Sequence, residues 1–345
     1  MDVQQTSTQI DTQIDSNFRA ICKFPVPTSS TSTTATSNIT VYDLHITSST
    51  PPLLCISGTH GITIISYASL STSFTTLSPP PPGLSVPTIP NPKVLHTFHP
   101  HPSSSESSPI EVNCVSSHPS RPSLIYAACG DQFGVYEFDV QASRLVREMG
   151  GGGGGVTGGG YLHAVCVLGD DGNVVASGGE GGGINFHLGS GPSDTWHVDG
   201  GLEGRREGGV RGGRGEGWTS SLTASSGGDF LLGTGGYTGS EGGGWVVNVH
   251  LGSRSVVGKA VTEEPNNCSC RLASGGYLVG GRDGAVREYG MGGLGRVGVM
   301  RGGEGMEIWG VKEGRGGIKV VVGMEDGIIV DRGWTGGLER VGGGD

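Results

Sequence analysis

The chain has 345 residues, 68 of them glycine, with 16% charged and 6% aromatic side chains and a formal charge of −10. Glycine at a fifth of all positions, against a usual share of about 7%, excludes long helices, because each interior helical glycine costs about 1 kcal/mol. The acidic balance excludes a broad phosphate-binding surface, which needs a basic patch, and the longest apolar runs fall far short of the roughly 20 residues that cross a bilayer.

In chain order, the opening MDVQQTSTQIDTQID carries acids where a secretory signal has basic and then apolar residues, so an intracellular protein is expected, with residues 1–17 outside the folded unit. Phe18 to Phe24 and Ile39 to His45 read as outlying strands. One pattern then recurs six times: a short apolar run ending in small residues, a glycine-rich turn, and a second strand. Its instances are LLCISGTHGITIISY (53–67), LIYAACGDQFGVYEFDV (124–140), VVASGGEGGGINFHL (174–188), FLLGTGGYTGSEGGGWVVNVHL (230–251), YLVGGRDGAVREYGM (277–291) and IKVVVGMEDGIIVDRG (318–333).

Each instance reads as a β-hairpin. The first strand is apolar on both faces, as the middle of a packed sheet requires, and small residues at its end suit close packing. Glycine supplies the positive φ of the turn, most clearly in Asp283-Gly284 and Asp326-Gly327. The second strand is expected to alternate, as in Val135-Tyr136-Glu137-Phe138-Asp139, because it lies further out. From Ile62 onward the second strands start 73, 49, 61, 40 and 43 residues apart, and the last two match the 40 to 45 residues of a WD40 blade.

The expected fold is therefore an all-β, WD40-type β-propeller spanning residues 18–340 as a single domain. Six blades are recognisable, and a seventh is left open by the 73-residue interval. Low-complexity insertions rich in proline and serine or in glycine are placed at about 68–108, 150–160 and 200–217. An N-terminal strand that completes the last blade would pair Phe18 to Phe24 beyond Ile328 to Val330 and hide sheet edges.

The seven cysteines, an odd number spread through apolar runs, read as reduced and mostly buried thiols. Cys268-Ser-Cys270 lacks a second ligand pair at metal spacing, and His96, His99 and His101 lie in a Pro/Ser tract of loop composition, so no metal site is expected. Gly-x-Ser-x-Gly, His-Glu-x-x-His and phosphate-loop motifs are missing. No enzyme activity, cofactor or small-molecule substrate is expected.

Between residues 108 and 188 the pattern becomes more specific. SPIEVNCVSSHP (108–119) is followed by LIYAACGD (124–131), VYEFDVQASRLVREM (135–149), YLHAVCVL (161–168) and SGGEGGGI (177–184). This succession resembles the THO complex subunit 6 family of WD40-repeat proteins, as does Asn17 to Phe24 at the start of the chain. Full Trp-Asp dipeptides are replaced by Phe138-Asp139, His187-Leu188 and Glu288-Tyr289, and one family blade has no counterpart between Tyr67 and Pro109. The resemblance implies a non-catalytic scaffold in a nuclear THO/TREX-like assembly that couples transcription to mRNA processing and export, with protein subunits as partners.

Candidate functional residues follow from these readings. The resemblance singles out Tyr161 and His163 for loop positioning or an interface. Arg205, Arg206, Arg211 and Arg214, in RREGGVRGGRG, are candidate RNA contacts through charge and guanidinium stacking, although Glu203, Glu207 and Glu216 offset their charge. Asp139, Asp283 and Asp326 read as turn-capping residues, with Gly284 and Gly327 completing the turns. Two other functions stay open: a ubiquitin-ligase substrate receptor, for which Phe138-Asp139-Val140-Gln141 departs from the usual Trp-Asp-x-Arg, and an RNA binder acting through the Arg/Gly insertion.

Overall fold

A computed structural model describes residues 18–25, 41–67, 94–99, 111–130, 134–149, 161–169, 171–188, 196–199, 217–237, 243–291, 294–301, 307–308, 310–314, 317–323, 328–334 and 339–340. All of its elements are β-strands. Among the described residues, no helix is long and apolar enough to cross a membrane.

The strands form antiparallel sheets arranged as a β-propeller. The first sheet contains β2 (Val41–Ile46), β3 (Leu53–Gly58), β4 (Gly61–Ser66) and β5 (Val94–Phe98). The second contains β6 (Val112–Ser117), β7 (Leu124–Cys129), β8 (Val135–Asp139) and β9 (Arg144–Met149). The third contains β10 (Leu162–Leu168), β11 (Val174–Gly179), β12 (Gly183–Leu188) and β13 (Trp196–Asp199). The fourth contains β14 (Gly217–Ala224), β15 (Phe230–Tyr237), β16 (Gly244–His250) and β17 (Ser255–Thr262).

The fifth contains β18 (Asn266–Arg271), β19 (Tyr277–Gly281), β20 (Ala285–Tyr289) and β21 (Arg296–Arg301), with β25 (Glu339–Arg340) added at its outer edge. Apart from β25, these five sheets are antiparallel blades of consecutive strands, so the blade count differs from the six or seven expected. A composite sheet joins β22 (Gly310–Gly314), β23 (Gly317–Gly323) and β24 (Ile328–Trp334) to β1 (Phe18–Pro25). The innermost strands β2, β6, β10, β14, β18 and β22 pack in succession around an axis, and β23 returns against β2.

Each expected hairpin is found as the middle pair of a sheet, from β3–β4 to β23–β24. The β1–β24 register sets Phe24 opposite Ile329 and Pro25 opposite Ile328, so the N-terminal strand does complete the last sheet. The two strands read as outlying are thereby accounted for: β1 belongs to the composite sheet, and β2 is the innermost strand of the first. A seventh sheet is not found among the described residues. The 73-residue interval spans a single step around the ring, because β4 is followed by β5 and β6 before the next hairpin.

Three expectations need correction. The tract 68–108 contains β5, so His96 lies on a strand and its Nδ1 is 2.9 Å from Ser143 Oγ. Gly217 is the first residue of β14, so it lies outside the insertion that precedes it. The strand β8 does not alternate: Val135 to Phe138 are all buried, because the third strand of a sheet is covered by neighbouring sheets on both faces. The carboxylate of Glu137, only 4% exposed, is held there by an ion pair with Arg147 on β9, as a buried charge requires.

Small residues at the ends of the second strands allow the sheets to approach closely. A Cβ at Gly178 on β11 would stand 2.5 Å from Thr219 Cγ2 on β14, and one at Gly280 on β19 would stand 2.5 Å from Ile308 Cγ2. Gly235 is more constrained still. Its Cβ would lie 1.9 Å from the Trp218 carbonyl oxygen and 2.6 Å from the buried ring of Trp245. Cys55, Cys129, Cys166, Cys268 and Cys270 are buried reduced thiols, and Cys114 is a half-buried one. Burial, reinforced by Asp43, pushes the Cys55 thiol up to about 12, which keeps it protonated and unreactive.

Candidate functional site

The innermost strands share a local device. In each of β2, β6, β10, β14 and β18 the register with the next strand slips by one residue near the start, leaving Tyr42, Asn113, His163, Ser220 and Asn267 as bulge residues. A bulge withdraws one residue from the ladder and re-aims its side chain. Here several of these side chains reach the next sheet: Tyr42 Oη donates to Glu111 Oε2 at 3.3 Å, Asn113 Nδ2 to the Leu162 carbonyl at 2.7 Å, and Ser220 Oγ to the Asn266 carbonyl.

Further along the same strands the pattern continues. Asp43 Oδ2 accepts Val115 N–H at 3.0 Å, His45 Nε2 accepts Ser117 N–H at 3.2 Å, Ser116 Oγ accepts Val167 N–H at 3.3 Å, and Ser221 Oγ accepts Ser269 N–H at 3.1 Å. Innermost strands of neighbouring sheets do not pair with one another, so backbone groups on their facing edges need other partners. Side chains of one sheet supply them to the next.

These strands enclose an axial cavity of about 340 Å³, lined among others by His45, Cys114, His163, Ser221, Asn267 and Arg271. Much of its polar lining is occupied in sheet-to-sheet hydrogen bonds. Among the described residues, no group of three His, Cys, Asp or Glu side chains is arranged to hold a metal ion.

The structure brings Tyr161 and His163 together at the start of β10. His163 is the bulge residue there and lines the cavity, and burial lowers its imidazole below the usual range while Glu180 opposes the shift. Tyr161, 41% exposed, lies at the rim, where its carbonyl accepts Glu180 N–H at 2.9 Å. Its ring rests over Gly130 at the end of β7. Both residues therefore sit at the junction of the second and third sheets.

No protein-family model matches the chain, and no curated protein matches it.

The other expected residues are dispersed. Asp139 Oδ1 accepts the N–H groups of Gln141 and Ala142 at 2.9 and 3.1 Å, closing the turn after β8. Asp283 Oδ1 accepts Ala285 N–H at 3.1 Å and its carboxylate pairs with the buried Arg287, while Gly284 takes φ +72°. Asp326, Gly327, Arg205, Arg206, Arg211, Arg214 and His101 lie outside the described residues.

Sequence reasoning passed over Asn113, Ser220 and His118. Buried His118 has Nδ1 3.2 and 3.1 Å from the backbone N–H groups of Ser120 and Arg121 and Nε2 3.1 Å from the Arg121 Nε–H, and its ring faces the third sheet at Gly172. Burial, with Arg121 next, lowers its imidazole. Asn113 and His118 both stand in SPIEVNCVSSHP, where polar residues in an otherwise strand-like run were the available signal.

Proposed function

We propose that the chain is a non-catalytic WD40-type scaffold subunit of a nuclear THO/TREX-like assembly, contributing protein contacts to the coupling of transcription with mRNA processing and export. One observation carries the reading. The run that resembles the THO complex subunit 6 family folds as a single physical unit, the second and third sheets, and its most specific members meet where those sheets join. Asn113 donates to Leu162, Ser116 accepts from Val167, Tyr161 covers Gly130, and His118 abuts Gly172.

A scaffold also accords with the use of the axial lining. Its hydrogen-bonding groups hold neighbouring sheets together, and the rims and outer edges remain as the surface for partners. Asp139 is engaged in its own turn.

Affinity purification of the tagged protein from nuclear extract, with and without ribonuclease, followed by mass spectrometry, tests the reading. Co-purification of THO subunits that survives ribonuclease is the expected result. Loss of every partner on ribonuclease treatment would replace the scaffold with RNA tethering through the Arg/Gly insertion, and recovery of a cullin adaptor would replace it with a ligase receptor.

A further inference from the structure

The junctions around the axis are not equivalent. Along each innermost strand, alternate residues bond the next strand of their own sheet, and the residues between them turn their N–H groups toward the axis. Val115, Ser117, Val167 and Ser269 are of the second kind, and their N–H groups find side-chain acceptors on the preceding sheet: Asp43, His45, Ser116 and Ser221. The ladders of β14 and β18 close with Ser225 N–H on the Phe230 carbonyl and Leu272 N–H on the Gly276 carbonyl. Counting back by twos from these, Leu222 and Ala224 in β14 and Arg271 in β18 also face the axis.

Here the side-chain acceptors are missing. Asp43 and His45 stand one and three residues after their bulge; in β10 those places hold Ala164, which has no polar side-chain atom, and Cys166, whose Sγ lies 3.7 Å from the Val167 carbonyl. Thr223, the counterpart of His45 in β14, turns its hydroxyl to Ser269 Oγ at 2.7 Å, and among the described residues no side chain reaches Arg271 N–H. Ala224 and Arg271 end β14 and β18, and both line the axial cavity. Arg271 stands two residues beyond Ser269, on the face of β18 turned to β14. Its side chain is exposed, and among the described residues no acid pairs with it. The acid among the described lining residues, Asp43, is engaged by the Leu44 and Val115 N–H groups.

We propose that this end of the axial cavity, where β14 and β18 finish, is a binding site for a carboxylate. A carboxylate takes a guanidinium side-on with both oxygens and keeps lone pairs for the Ala224 and Arg271 N–H groups. The single cation matches a single negative charge, whereas a phosphate dianion would add an unbalanced charge to a chain already at −10. The carboxylate belongs either to a small molecule or to a partner protein that offers an acidic side chain or C-terminus at the rim. The proposal is independent of which assembly the chain serves.

The test is an NMR titration of the isotope-labelled full chain at fixed ionic strength, with acetate and with a short uncharged peptide whose C-terminus is either free or amidated. Acetate and the free peptide should give saturable shifts of the Ala224 and Arg271 amides and of Arg271 Nε–H, and the amidated peptide none. Tighter binding of the free peptide than of acetate assigns the site to a partner's carboxylate, and the reverse order to a small molecule. Arg271→Gln should weaken binding about tenfold or more. Cys166→Ser gives β10 the hydroxyl that Ser116 uses for Val167, so it should occupy Ala224 N–H from within and weaken binding severalfold, with an unchanged circular dichroism spectrum. The absence of saturable shifts at these residues, shifts undiminished in Arg271→Gln, or equal binding of the amidated peptide would each overturn the proposal, and unchanged binding in Cys166→Ser would remove Ala224 from the site.

Discussion

The ring of Tyr161 lies so close over Gly130 that a Cβ at residue 130 would stand 2.6 Å from its Cδ1. The contact spans the junction between the second and third sheets, and it holds only while residue 130 lacks a side chain. Gly130→Ala should destabilise the protein by about 1–3 kcal/mol through overpacking. Tyr161→Ala should cost less, because the side chain is partly exposed. In the double variant the steric conflict disappears, so urea unfolding should show a favourable coupling of about 1 kcal/mol or more. Strict additivity would contradict the contact.

Gly172 combines two constraints. Its φ is +62°, and a Cβ there would approach His118 Nε2 to 2.2 Å. Gly172→Ala should lose about 2–4 kcal/mol. Adding His118→Ala removes the collision but not the left-handed backbone, so about 1–2 kcal/mol of that loss should persist in denaturant titrations.

The side-chain bridges around the axis act at separate junctions. Asn113→Ala strips a partner from the Leu162 carbonyl and Ser220→Ala strips one from the Asn266 carbonyl. Each should cost about 1–2 kcal/mol, the usual penalty for orphaning a buried acceptor. Because the sites share no residue, their effects should add to within about 0.5 kcal/mol, which calorimetric or urea-derived stabilities would check.

Acid should weaken the fold through its half-buried histidines. Burial, followed by the nearby His99, lowers the His60 imidazole from 6.5 to about 4, a backbone hydrogen bond with Ile56 opposing the shift, and both of its ring nitrogens are shielded from solvent. Burial also lowers His163 and His187. A histidine with a depressed folded value binds its proton more readily in the unfolded chain, so stability rises with pH across the interval between the two values. For His60 the contribution is intact above pH 6.5 and is lost as pH falls to about 4. The thermal midpoint should fall over that window, and His60→Gln should flatten the slope. An unchanged slope would exclude His60 as a contributor.

The hairpins were readable because their first strands are buried on both faces, so they appear as apolar runs closed by glycine, as in β7 and β15. The innermost strands were harder to see. NNCSCR in β18 and VNCVSS in β6 look like polar loop sequence, yet they are strands whose side chains serve backbone groups of the adjoining sheet. Strand β5, in VLHTF, was obscured by the proline and serine around it. Tyr161 and His163 were found through the resemblance. Their actual settings, one ring over Gly130 and one imidazole at a bulge against Gly178 and Gly179, depend on residues distant in the sequence, which local patterning does not report.

The pairing of β1 with β24 has a kinetic consequence. Phe18 lies opposite Trp334, and bringing such distant segments together in an unfolded chain would cost about 5 kcal/mol in closure entropy. The two strands therefore meet only after the intervening sheets have formed and carried them side by side, which makes ring closure a late event in folding. Until that moment β24 is a bare edge able to capture a strand from another molecule. Recovery of the native protein from denaturant is accordingly a race between closure within one chain and pairing between chains, and dilution favours the first.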